Sequence, residues 1–135
     1  MRKALILVFY LCSISAMAQP FGNEWINFDQ QYWRIPVAKN GIYQVNYSDL
    51  ENAGFPVSTI DPRRIQLFFR GQEIAIQING QDDARFDPED DVLFYGMRND
   101  GKVDSYLYNP SSFQPHDLYS IYTDTSAYFL TYALT

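Results

Sequence analysis

The chain has 135 residues, with 10 Lys and Arg against 16 Asp and Glu and a formal net charge of −6. Aromatic residues make up 17% and charged residues only 19%, which excludes a disordered chain, since disorder goes with few aromatics and many charges. An acidic balance also argues against a nucleic-acid partner, because phosphate binding needs a basic surface.

Residues 1–18 read as an export signal. Arg2 and Lys3 form a charged n-region, Ala4 to Ile14 an apolar run, and Ala16-Met17-Ala18 a small-residue cleavage site. The run is too short to span a bilayer, which takes about 20 residues. Phe9-Tyr10-Leu11 lacks the small residue that precedes an acylated cysteine, so Cys12 does not read as a lipid anchor. Cleavage after Ala18 removes Arg2, Lys3 and the only cysteine, and the net charge becomes −8. Residues 19–135 then form one domain with no disulfide, thiolate ligand or cysteine nucleophile of its own. The expected location is the periplasm, the outer membrane surface or the exterior, with no transmembrane segment after signal cleavage.

The exported part reads as short strands broken by turn residues. Tyr32 to Val37 is a candidate strand in which Pro36 demands a sheet edge or a bulge. Lys39-Asn40-Gly41 would turn it into a partner strand where Tyr43, Val45 and Tyr47 alternate with polar residues. SDLENAGF follows, with Ser48 and Glu51 spaced as a capping box, Gly54 as a stop and Leu50 facing the sheet. Asp61-Pro62 starts a turn. Ile65 to Phe69 is a strand, Arg70-Gly71-Gln72 reverses it, and Ile74, Ile76 and Ile78 alternate along the return strand, which Asn79-Gly80 ends.

Asp91 to Tyr108 reads DVLFYGMRNDGKVDSYLY, an acidic loop between aromatic runs. Leu118 to Tyr122 and Ala127 to Tyr132 complete the candidate strands. No helix-period segment is long enough to cross between parallel strands, so an all-β fold is expected: an antiparallel β-sandwich with one short helical turn.

Candidate chemistry is sparse. In an EF-hand loop the glycine is sixth and the first ligand is an acid; counting back from Gly101 places Gly96 first, and the register fails. Asn99-Asp100-Gly101 instead suits a hairpin turn. Asp91, Asp100 and Asp104 remain metal candidates in some other calcium geometry. His116 is the only histidine, and its neighbours Asp117 and Ser120 carry no evidence of triad geometry. Asp87, Glu89, Asp90 and Asp91 form a run of acids suited to a solvated turn rather than to a facing carboxylate pair. Trp33 is expected in the core, while Trp25 is the freer aromatic and the candidate ligand-binding residue, as a sugar-stacking platform. No catalytic residue and no cofactor are assigned.

The ordered segments GNEWI, GIYQVNYSDLENAGF, RRIQLFFRGQEIAI, DDVLFYGMRNDGKVDSYLY and YTDTSAYFLT resemble the N-terminal region of gingipain-like cysteine peptidases. Within that group they look most like PorU-type sortases of the type IX secretion system in Bacteroidota. The resemblance implies a non-catalytic front domain, propeptide-like or accessory. It packs on or positions a downstream peptidase domain of the same chain, or meets other secretion-system components. The catalytic Cys and His of that family have no counterpart here, so enzyme activity is not expected of this chain by itself. FLTYALT reads as a strand with no closing turn, which suggests the front fragment of a longer chain and an exposed terminal edge. The alternative reading is a secreted carbohydrate- or calcium-binding module using Trp25 or the Asp100 to Asp104 loop.

Overall fold

A computed structural model describes residues 22–134. The expected signal at 1–18 lies outside them.

Among the described residues, alternation of apolar and polar side chains produces seven strands. They are β1 (Trp33–Val37), β2 (Gly41–Asn46), β3 (Ile65–Phe69), β4 (Gln72–Ile74), β5 (Gln77–Asn79), β6 (Asp91–Gly96) and β7 (Ser126–Tyr132). All pairings are antiparallel. One sheet has the order β1-β7-β3-β4 and the other β2-β6-β5. Their inner faces share one core, in which Val37, Leu67, Tyr128 and Leu130 of the first sheet and Val92 of the second are fully buried. Phe94 meets Tyr128 across the gap with ring centroids 5.3 Å apart. Burying each such side chain stabilises the fold by about 1.5–3 kcal/mol. The expected all-β sandwich is what forms. Among the described residues no helix is long and apolar enough to cross a membrane.

The short helix, α1 (Tyr47–Asn52), buries Leu50 against the core. Its box lies two residues earlier than expected: Asn46 is the N-cap and its N–H donates to Asp49 Oδ2 at 3.2 Å. β2 stays extended through Asn46 and the helix begins at once, so Ser48 is already inside the first turn. Gly54 ends it as expected, at φ +76°, with Gly54 N–H bonding Glu51 O and Phe55 N–H bonding Leu50 O. These two bonds form a Schellman stop.

Several pairings depart from the sequence reading. β1 does not form a hairpin with β2; it lies beside β7, with Trp33 opposite Leu130 and Pro36 opposite Ala127. Residues 38–40 are instead a corner between the two sheets. The edge position demanded by Pro36 is kept. The hairpin at Arg70-Gly71 forms, with Phe69 opposite Gln72, but its return strand splits. β4 ends at Ile74 in the first sheet and β5 begins at Gln77 in the second. Ile74, Ile76 and Ile78 all still face the core, so the alternation survives a change of sheet.

Asp91 to Tyr108 is not a hairpin either. β6 already has β2 on one side and β5 on the other, so a returning strand has no edge to join. Gly101, at φ +77°, opens a 310 turn over Lys102–Leu107 instead. Leu118 to Tyr122 forms no strand and lies exposed. The terminal strand is not an exposed edge: β7 sits between β1 and β3 in the middle of its sheet.

Candidate functional site

Of the sequence candidates, Trp25 lies on the outer face of the four-stranded sheet. Phe68 and Phe129 are directly opposite one another on that face. Residues 22–32 fold over them. Trp25 stacks on Phe68 at 5.3 Å between centroids, lies 5.6 Å from Phe129 and meets Tyr32 edge-on. Trp25 is therefore a half-buried packing residue, which the aromatic positions of β3 and β7 could have signalled. Trp33, expected in the core, is half-buried at its margin, and its Nε1–H donates to Ala53 O at 2.9 Å.

Beside Trp25, the two-residue turn Arg70-Gly71 holds both residues at positive φ, +49° and +77°. This is the twist-matched form that a tight hairpin needs. It aims the Arg70 guanidinium over the Phe69 ring at 4.9 Å and onto Asp100 Oδ1 at 2.5 Å. Asp100 also accepts from the Lys102 N–H at 3.2 Å. Partial burial works against ionisation of Asp100, but hydrogen bonds from Arg70 and from the Lys102 N–H outweigh it and hold the carboxyl below its ordinary range. Asn99 ties the same loop to the far side, its N–H bonding Asp124 O and its Nδ2 bonding Thr123 O. Trp25, Arg70, Asn99, Val103, Tyr106 and Phe129 line a groove of about 610 Å3 between these pieces.

The three metal candidates occupy different settings. Asp91 accepts from Gln44 Nε2 and Asn79 Nδ2 across the three-stranded sheet. Asp100 is held by Arg70 and Lys102. Asp104 is 6% exposed, and among the described residues its Oδ2 has no hydrogen-bond partner. No group of three His, Cys, Asp or Glu side chains able to hold a metal ion occurs among the described residues. His116 is exposed and meets Tyr119 edge-on at 5.9 Å, while Ser120 Oγ accepts from Tyr122 N–H.

No known protein family, characterised protein or solved structure matches this chain.

The most distinctive surface takes in Leu118 to Tyr122, for which the sequence suggests a strand. Residues 97–125 contain no strand and display Tyr106 at 79% exposure, with Leu107, Phe113, Leu118, Ile121 and Tyr122 also exposed. Such a concentration of large apolar side chains is unusual on a free surface and marks interaction sites. The dense breakers Asn109-Pro110-Ser111-Ser112 and Pro115 were the available signal against strands. A second groove, about 540 Å3, opens beside α1 and is lined by Tyr47, Ile60, Asp61, Arg64, Arg85 and Phe86.

Proposed function

We propose that this chain is a non-catalytic front domain of an exported PorU-like sortase and that it packs on, and positions, a cysteine-peptidase domain following it in the same polypeptide. The observation that carries this reading is the apolar lobe at residues 102–122, whose exposed Tyr106, Phe113, Leu118 and Ile121 lie outside both sheets of the sandwich. A lobe of this kind suits burial against a neighbouring domain, where clustered aromatic anchors supply most of the binding energy. The ordered sequence resemblance supplies the identity of that neighbour.

The test is to express the peptidase domain separately and measure its association with this chain by titration calorimetry. Association is expected, and it should weaken at least tenfold in a Tyr106→Asp, Leu118→Asp variant that keeps the native melting temperature. Absence of binding, or binding indifferent to these changes, would count against the reading.

A second reading, a carbohydrate-binding module, draws on the groove beside Trp25, where an indole edge, Tyr106 and the polar groups of Arg70 and Asn99 converge. Glycan titration followed by tryptophan fluorescence separates the two. A saturable change that is lost in Tyr106→Ala would favour it.

A further inference from the structure

Arg63, Arg70 and Arg98 each have an answering group: Asp61, Asp100, and the Leu118 carbonyl with the Tyr119 ring. Arg64 and Arg85 do not. Both line the groove of about 540 Å3 beside α1. Among the described residues neither guanidinium makes a hydrogen bond or an ion pair.

Local sequence explains how the two come to be free at one groove. Asp61 caps the 310 turn Pro62–Arg64 and takes up the Arg63 side chain, with Arg63 Nη2 2.6 Å from Asp61 Oδ2 and Arg63 Nε 2.9 Å from Asp61 Oδ1. Arg64, next in the chain, is left half-buried in the groove wall. In the loop after β5, Ala84 is held left-handed at φ +64°, a conformation that crowds any Cβ. The Arg85 N–H follows it onto Asp83 Oδ1 at 3.0 Å. Strained backbone of this kind clusters at ligand clamps, and here it carries Arg85 to the groove. The remaining lining is mixed. Tyr47 stacks on buried Phe86 with centroids 6.0 Å apart, and the Tyr47 and Ser58 hydroxyls have no hydrogen-bond partner among the described residues.

We propose that this groove binds the side-chain carboxylate of an acidic peptide segment, held by Arg64 and Arg85, with an apolar residue of the peptide laid beside Phe86. A guanidinium fork matches a carboxylate and gives up its weakly held water at small cost. The charge balance selects a single carboxylate over a phosphate. With Asp61 answered by Arg63, the lining sets two guanidiniums against the one carboxylate of Asp87. Asp82, Asp83 and Glu89 on the same loop are exposed and add a negative field that every further anionic charge must meet. The free Tyr47 and Ser58 hydroxyls suit the amide groups of a peptide backbone, which a small organic acid lacks. The volume is ordinary for a ligand site. No residue of this groove belongs to the 102–122 lobe, so the inference stands apart from the proposed peptidase partner.

NMR titration of the full chain with the blocked peptide acetyl-Ala-Leu-Glu-Ala-amide tests the proposal. Saturable shifts are expected at the Arg64 and Arg85 Nε–H signals and at the Phe86 ring. Replacing the peptide's Glu by Gln should weaken binding about tenfold, the loss expected when a charge-assisted bond becomes neutral. Arg64→Gln and Arg85→Gln should each weaken it comparably with no change in melting temperature, since neither guanidinium holds another element in place. Asp87→Asn should tighten binding, and inorganic phosphate should bind more weakly than the peptide. No saturable shift, equal affinity for the Glu and Gln peptides, or indifference to both arginines would overturn the proposal. So would weaker binding by Asp87→Asn, preference for phosphate, or peptide-induced shifts confined to the 102–122 lobe. Arg85 is exposed, so its variant decides the matter even if Arg64→Gln fails to fold.

Discussion

The rings of Phe69 and Tyr128 lie flat on each other, with centroids 4.3 Å apart and planes 4° from parallel. Tyr128 is fully buried, and its hydroxyl accepts the Met97 N–H at 2.7 Å. One side chain therefore fixes β3 to β7 and also anchors the chain where it leaves β6. Tyr128→Phe should keep the stacking but strand the Met97 N–H, costing about 1–3 kcal/mol in urea unfolding. Burial pushes the Tyr128 phenol above its usual value of 10.0. A raised acid binds its proton more tightly when folded. Its contribution is complete below the unfolded value and is lost as pH rises through the folded one. Wild-type stability should fall more steeply above about pH 10 than that of Tyr128→Phe, as compared in alkaline melts.

The Arg70–Asp100 pair gives the opposite pH dependence. The Asp100 carboxyl is held below the usual 3.8. Its contribution is present above that value and disappears as pH falls through the folded one. The pair is only partly shielded from water, so Asp100→Asn should cost no more than about 1 kcal/mol at neutral pH. The difference between wild type and variant should vanish in acid. Thermal melts between neutral pH and the acid range check this.

Trp25→Ala removes the lid from Phe68 and Phe129. Three aromatic contacts, to Phe68, Phe129 and Tyr32, and a half-buried indole are lost, for which about 2–3 kcal/mol of destabilisation is expected. The loss should appear in urea unfolding with no ligand added. A glycan that binds wild type but leaves the Trp25→Ala melt unchanged would report contact with the indole.

Two glycines separate backbone strain from crowding. Gly54 sits at φ +76° with nothing near an added Cβ; Gly54→Ala should cost roughly 1 kcal/mol, the penalty for a left-handed backbone conformation. Gly80 sits at φ +86° and a Cβ there would run into the buried Asp90 carboxylate. That carboxylate accepts the Asp87 N–H at 2.8 Å. Gly80→Ala should therefore destabilise clearly more than Gly54→Ala in parallel unfolding curves.

The strands themselves were legible because period-two alternation reports burial on one face. β3, β6 and β7 fell where their apolar residues placed them. Partnership was not legible, because alternation is silent about which edge a strand joins. Tyr43 and Val45 read the same whether β2 pairs with β1 or with β6. The isoleucines of 74–78 kept their rhythm across a change of sheet because both sheets face one core. Asn99-Asp100-Gly101 did mark a bend, but the hairpin inferred from it needed a vacant edge beside β6, a tertiary fact. Trp25 looked free because nothing local shows that Phe68 and Phe129 point outward beneath it. Asp91, Asp100 and Asp104 looked alike in sequence, yet they are held respectively by sheet amides, by a guanidinium, and by burial.

Among the described residues β7 is the only strand beside β1, so β1 waits for β7. Trp33 cannot find Leu130 until nearly a hundred intervening residues have been made. Long-range pairing of this kind is slow to nucleate. A nascent chain emerging N-terminus first therefore keeps β1 unlatched until β7 has been made. Until β7 arrives the four-stranded sheet is thread; only then does it become cloth.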